Sequence, residues 1–136
     1  MTLLASGILQ IPAAYSTTTA SAASLFIDSA GGFYRSTSAL KYKQNVRDLP
    51  SIDITKFRPV VYNSKSENDD QTIDYFGFIA DEVDEAGIKQ LVSYGPNGEV
   101  EGFQYERMTA VLVKALQEQQ AIIESLKADV AALKGA

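Results

Sequence analysis

The chain has no histidine, no cysteine and no tryptophan in its 136 residues. Without histidine, no side chain changes its charge near neutral pH at its ordinary pKa. Without cysteine there is no disulfide, no thiolate nucleophile and no Cys/His zinc site, and no redox clue to compartment. Nucleophilic chemistry, if there is any, runs on a hydroxyl with a lysine or a carboxylate as its base. Positive charge is also scarce: 12 Lys and Arg stand against 17 Asp and Glu, for a net charge of −5. The basic residues are scattered, with Lys41, Lys43 and Arg47 the only local group. That balance argues against a nucleic-acid footprint and against a polybasic membrane patch. No apolar run approaches the roughly 20 residues that span a bilayer. Met1-Thr2-Leu3-Leu4 lacks the basic start and long apolar run of a signal peptide. A soluble protein is expected.

The apolar share, 46%, is ordinary, but part of it is Ala and Val near the C-terminus. The central core is therefore expected to be small, which invites help from oligomerisation. The length allows one domain, with a piece of another attached. Residues 1–24 are rich in Thr, Ser and Ala. The run Ser16 to Ser24 carries neither charge nor helical period, and reads as a linker or as an extended segment ordered only beside other chains. Such a start suggests a natural protein that continues upstream.

Leu25-Phe26-Ile27-Asp28 and Phe33-Tyr34-Arg35-Ser36 flank Gly31-Gly32 and read as a hairpin. Ile52-Asp53-Ile54 alternates. Residues 57–62, a polar loop over 63–71 and the β-rich run 72–80 read as a second hairpin with a long tip. Ala80 to Gly87 reads as a short helix with acidic residues in its first turns and a glycine past its end. Leu91-Val92-Ser93-Tyr94, the turn Gly95-Pro96-Asn97-Gly98 and a returning strand with Val100, Phe103 and Tyr105 make a third hairpin. From Glu106 there is no proline, and no glycine before Gly135. Leu112, Leu116, Gln119, Ile123, Leu126, Val130 and Leu133 recur at alternating spacings of four and three, a heptad seam broken only by Gln119. Val111, Val113 and Ile122 widen the stripe at the helix start, so that part can also pack on the β-unit. The plainer alternative is an amphipathic helix lying on its own domain. The mixture of Ile, Leu and Val leaves the strand number of a coiled coil open.

Two kinds of chemistry are conceivable. Ser38 stands five residues before Lys43, and a lysine made neutral by an apolar setting can take a proton from a hydroxyl. Leu40, Tyr42 and Val46 are the neighbours that would supply the setting. By spacing alone the pair is weak, since such pairs are far more often structural or solvated. The carboxylates Glu67, Asp69 and Asp70 lack EF-hand spacing, and Asp81, Glu82, Asp84 and Glu85 read as the solvated face of a helix. Neither group reads as a metal or glycosidase site. Tyr34, Tyr42, Tyr62 and Tyr75 read as packing residues.

Three stretches together resemble one family. Residues Ser38-Ala39-Leu40-Lys41-Tyr42-Lys43-Gln44-Asn45-Val46 resemble its Ser-x4-Lys-x-Asn-(Ile/Val) junction. Gly77-Phe78-Ile79-Ala80-Asp81-Glu82-Val83 is similar to its Gly-(Leu/Phe)-Ile-Ala-x-Glu-Val segment. The run from Tyr105 to Glu118 is similar to the start of its closing helix. The family is the intramolecular chaperone auto-processing domain at the C-terminus of bacteriophage tail spikes, tail fibres and neck appendages. The resemblance covers roughly residues 33–133, with order and spacing kept.

It implies a homotrimer-forming chaperone that guides folding of an upstream fibre and then cuts itself off. Ser38 and Lys43 would be the catalytic dyad and Ser38–Ala39 the bond cut, with Asn45 a possible supporting residue. Many members carry Asp or Ser where this chain has Ala39, so side-chain help from that position is lost while the dyad spacing is kept. Residues 1–38 would end the fibre and 39–136 would form the chaperone, with its coiled-coil helix over about 106–134. The resemblance implies a virion precursor made in the bacterial cytoplasm, with its own copies as partners and no cofactor, nucleic acid, membrane or small-molecule substrate. The expected fold class is α+β: an extended β N-terminal segment, a small antiparallel β-unit with a short helix, and a long C-terminal helix in a trimeric coiled coil. A non-cleaving trimerisation module is the second expectation. A serine-lysine protease acting on other proteins is the third, with no sign of a substrate cleft.

Overall fold

The computed structural model describes residues 2–3, 9–10, 25–27 and 31–136. The Ser16–Ser24 run lies outside the described residues. The chain divides into two units, Met1–Tyr42 and Lys43–Ala136. The class is mixed α+β, with four separate antiparallel strand pairs and one long helix among the described residues.

In the first unit β1 (Thr2–Leu3) pairs with β2 (Leu9–Gln10). Strand β3 (Leu25–Ile27) pairs with β4 (Phe33–Arg35), in the register Leu25–Arg35, Phe26–Tyr34 and Ile27–Phe33. The hairpin expected there is present. Gly31 precedes β4 at φ 80°, a conformation that glycine adopts without steric cost. Successive strand residues point to opposite faces, and here Leu25, Phe26, Ile27, Phe33 and Tyr34 are all exposed. Both faces of this hairpin thus present exposed apolar side chains. Past β4 the chain runs without regular structure to one 3₁₀ turn, Leu40–Tyr42, where Tyr42 N–H donates to the Ala39 carbonyl at 2.9 Å.

The second unit holds the buried core: Phe57, Val83, Leu91, Val92, Met108 and Val111, with Ile52, Ile54, Phe78, Ile88, Val100 and Phe103 packed against it. Its elements are β5 (Val60–Tyr62), β6 (Tyr75–Gly77), α1 (Ala80–Glu85), β7 (Val92–Tyr94), β8 (Val100–Phe103) and α2 (Tyr105–Gly135). Strands β5 and β6 pair as expected, but over three residues each, not over 57–62 and 72–80. Pro59 has no N–H for a ladder, so β5 starts after it. At the other end Asp70 diverts the chain, its carboxylate accepting from the N–H and hydroxyl of Thr72 at 3.0 and 2.6 Å. The Ile52-Asp53-Ile54 alternation is not a strand. Asp53 caps a 3₁₀ turn, Ile54–Lys56, by accepting from Thr55 N–H at 3.0 Å.

Helix α1 stops where its glycine predicts. Gly87 sits at φ 78°, its N–H donates to the Asp84 carbonyl at 2.9 Å, and Ile88 N–H donates to the Val83 carbonyl at 3.1 Å. That is a Schellman ending, and it delivers Ile88 to the core beside Val83. Strand β7 starts one residue later than expected, because Leu91 closes a 3₁₀ turn over Lys89–Leu91. The β7–β8 register slips between Ser93 and Tyr94, opposite Gly102 and Val100. Tyr105 is the first residue of α2, not the end of a strand. The neighbouring Gln104 N–H donates to the Leu91 carbonyl at 2.7 Å, and Met108 N–H donates back to the Gln104 carbonyl at 3.2 Å, which turns the chain into the helix.

The Tyr105 hydroxyl accepts from Phe78 N–H at 3.1 Å, just past the end of β6. A Cβ built on Gly77 meets that hydroxyl, with the Tyr62 ring 3.3 Å away. Gly77→Ala is therefore expected to destabilise the second unit by about 1–3 kcal/mol, the usual range for overpacking. A denaturant titration checks this, and a wild-type midpoint would mean that Tyr105 swings aside without cost.

Helix α2 buries Met108, Val111 and Ala115 along one face of its first turns. Of the positions expected to widen the stripe, Val111 is only 3% exposed, whereas Val113 and Ile122 are exposed at 49% and 59%. No helix among the described residues is long and apolar enough to cross a membrane.

Candidate functional site

Ser38 is the last residue of the irregular stretch after β4, exposed, with Ala39 opening the 3₁₀ turn that follows. Lys43 is the first residue of the second unit and is also exposed. Leu40, Tyr42 and Val46, the side chains expected to provide an apolar setting, are exposed at 75%, 52% and 68%. Lys41 lies over the Tyr42 ring, 5.0 Å from its centroid, a cation–π contact of the exposed kind. Asn45 has φ 53° and is the only non-glycine residue at positive φ among those described. Asn45 is singled out only by the family resemblance; its left-handed backbone is a further property, and asparagine's tolerance of that region was the available signal.

Four of the carboxylates, Asp69, Asp70, Glu82 and Asp84, are engaged in structure. Asp69 accepts from the Ser64 hydroxyl at 2.6 Å within the β5–β6 loop, and the Asn63 side chain donates to the Ile73 carbonyl at 2.8 Å across the base of that loop. Tyr94 donates its hydroxyl to Asp84, tying β7 to α1. Glu82 accepts from Arg58 through both carboxylate oxygens, one contact being Nε to Oε2 at 3.1 Å. This fork fixes α1 to the segment before β5, and sequence reading did not foresee it.

Arg58 holds the Glu82 carboxyl below its ordinary pKa, first by hydrogen bonding and then by charge. Asp53 and Asp70 are lowered likewise, each chiefly by hydrogen bonds from the threonine two residues on. A depressed folded-state pKa contributes stability that is complete above the unfolded value and is lost as pH falls through the folded one. The melting temperature is thus expected to fall on acidification below about pH 4. In Glu82→Gln the fall is expected to be shallower. Parallel melting curves over pH 2–6 for the two proteins test this, and identical pH slopes would show that the Arg58–Glu82 fork contributes nothing in solution.

The two faces of α2 have different fates. Met108, Val111 and Ala115 are covered by the chain's own core, while Leu112, Leu116, Ile123, Leu126, Val130 and Leu133 are exposed, Leu133 at 77%. At 1.5 Å per residue the helix is about 46 Å long. Its contacts with the rest of the unit reach at least Glu118, whose carboxylate accepts from the Ser51 hydroxyl at 3.0 Å. Searches for relatives find no matching family model, no matching curated protein and no matching solved structure.

Proposed function

We propose that this chain is a self-removing folding module at the end of a fibrous protein: it trimerises through α2 and then cuts the Ser38–Ala39 bond with a Ser38–Lys43 dyad. The observation that carries the reading is the exposed heptad seam of α2, left over after the helix has filled its own core. In heptad terms Leu116, Ile123 and Val130 occupy a positions and Leu112, Gln119, Leu126 and Leu133 occupy d positions. A parallel arrangement faces Asp129 towards Lys134 of a neighbouring copy, whereas an antiparallel one gathers Lys127 and Lys134 together. Charge therefore favours parallel helices, which would bring the three upstream ends to one side. Ile and Val at a with Leu at d suit two strands by themselves. The flanking, exposed Val113 and Ile122 widen the apolar band towards a third. The doubly apolar β3–β4 hairpin fits a segment meant to lie between other chains.

The chemistry has a geometric constraint. Ser38 Oγ attacking its own carbonyl carbon closes a four-membered ring. Attack on the Thr37 carbonyl closes a five-membered ring, but cuts before Ser38. Cleavage after Ser38 is unstrained when the carbonyl belongs to another copy. Lys43 as neutral amine takes the hydroxyl proton, Oγ adds to the neighbour's Ser38 carbonyl, and the C–N bond breaks with the proton delivered to the Ala39 amine. Water then hydrolyses the ester and restores Ser38. A neutral lysine needs desolvation, and Lys43 is exposed in the single chain. Association of copies would supply the cover, so that cutting reports completed assembly.

The chaperone step follows from chain statistics. Interleaved fibres have few local contacts and register slowly. A module that associates first raises the effective concentration of the upstream segments. Its removal leaves a fibre held by its barrier to unfolding.

The exposure of Ser38 and Lys43 favours a second reading, a trimerisation module that never cuts. The mass of the purified chain separates the two. A fragment beginning at Ala39 supports cleavage, and a chain that stays whole after assembly leaves the non-cutting module.

A further inference from the structure

We infer that Asn45 is a positioning residue for Lys43, acting through its backbone and not through its amide. The inference rests on the cleavage reading above and deepens it.

Residues 43–51 have no helix or strand. In such a stretch no helix or strand hydrogen bonds set the path, so local dihedrals bear on how the chain leaves Lys43. Asn45 supplies the decisive one. Its φ of 53° lies in the left-handed region, which most L-residues avoid because Cβ crowds the following carbonyl. Asparagine, aspartate and glycine are the residues that accept it most readily. The next residue, Val46, is β-branched and 68% exposed, so the bend is not an accident of burying a side chain. A strained or unusual backbone position beside a reacting group persists when the position has work to do. Here the work is to bend the chain two residues past Lys43, and so to aim Lys43 relative to the segment that follows. The amide itself is exposed with the rest of the residue and is not required.

The test compares Asn45→Gly, Asn45→Asp, Asn45→Ala and Asn45→Val in the full chain, with the fragment beginning at Ala39 followed by mass against time. Glycine keeps the left-handed backbone while deleting the whole side chain, and alanine makes that backbone costly. Asn45→Gly and Asn45→Asp are expected to cut within about threefold of wild type, Asn45→Ala about tenfold slower and Asn45→Val slower still, in line with the steric cost of that region. The pH–rate profile adds a readout that a general loss of stability would not move. It should coincide in wild type and Asn45→Gly but change shape in Asn45→Ala. If Asn45→Gly cuts as slowly as Asn45→Ala, the side chain matters and the inference is overturned. Equal rates in all variants overturn it as well. If Asn45→Val does not fold, the Gly–Ala comparison decides alone. A wild-type chain that never cuts removes the cleavage reading itself, an outcome visible before any variant is made.

Discussion

Chains carrying Lys43→Ala are expected to keep their full mass while wild-type chains are cut between Ser38 and Ala39, with a loss of rate of about a thousandfold or more. The size of the effect follows from what the chain lacks: with no histidine, the nearest other amine in the sequence is Lys41, which lies over the Tyr42 ring. Ser38→Ala should be equally inert. Lys43→Arg is the sharper variant. It keeps the charge and most of the length, but a guanidinium does not give up its proton in proteins, so it should fail as completely as alanine. An active Lys43→Arg chain would recast Lys43 as an electrostatic aid and end its assignment as base. The route between copies has its own check. A mass-tagged Ser38→Ala chain assembled with wild type should be cut at its own 38–39 bond, because the attacking hydroxyl comes from a neighbour. Tagged chains left whole in every mixed assembly would rule that route out, whereas cutting of Ser38→Ala chains on their own would point to water activated by Lys43.

The second large effect is expected at the seam. Ile123→Glu combined with Leu126→Glu places two carboxylates where each copy would bury apolar side chains, and burying an unpaired charge costs several kcal/mol per group. Sedimentation should show wild type as an assembly and the double variant as a single chain at the same concentration. Cutting should disappear with the assembly. Both positions lie beyond Ala115, the last core-facing residue of α2, so the helix start and its core contacts are left intact. Gln119→Leu is the control in the other direction, since one polar residue in a seam trades stability for register. A double variant that sediments like wild type would sink the coiled-coil reading. One that is a single chain and still cuts at the wild-type rate would keep the dyad but remove its dependence on a neighbour.

The sequence announced those elements that local chemistry dictates. Gly87 ends α1, Gly95 to Gly98 makes the β7–β8 turn with Gly98 at φ 85°, and the unbroken run after Glu106 is one helix. It overstated the strands. Residues 72–80 are β-rich along their whole length, yet pairing needs a partner, and Pro59 on one side and the Asp70–Thr72 turn on the other leave only three pairs. Tyr105 continues an alternation and still begins a helix, because the Gln104 N–H finds its acceptor on Leu91. Periodicity could not show which apolar residues of α2 face the chain's own core. Met108 and Ala115 do, and nothing in their type distinguishes them from the seam. Of the candidate site, the residue types and their order were legible. The backbone at Asn45 and the exposure of Leu40, Tyr42 and Val46 are tertiary properties that no spacing encodes.

Helix α2 completes the core of its own unit with its first turns and presents the seam along the same rod. If copies associate as proposed, folding and association draw on one element and become a single equilibrium: whatever strengthens contact between copies also tightens each copy, and dilution loosens both. On the proposed reading, upstream chains would tether three modules and set their local concentration. Cutting would end that. The released pieces would meet only at their bulk concentration, so the module would become less stable at the moment its work is finished.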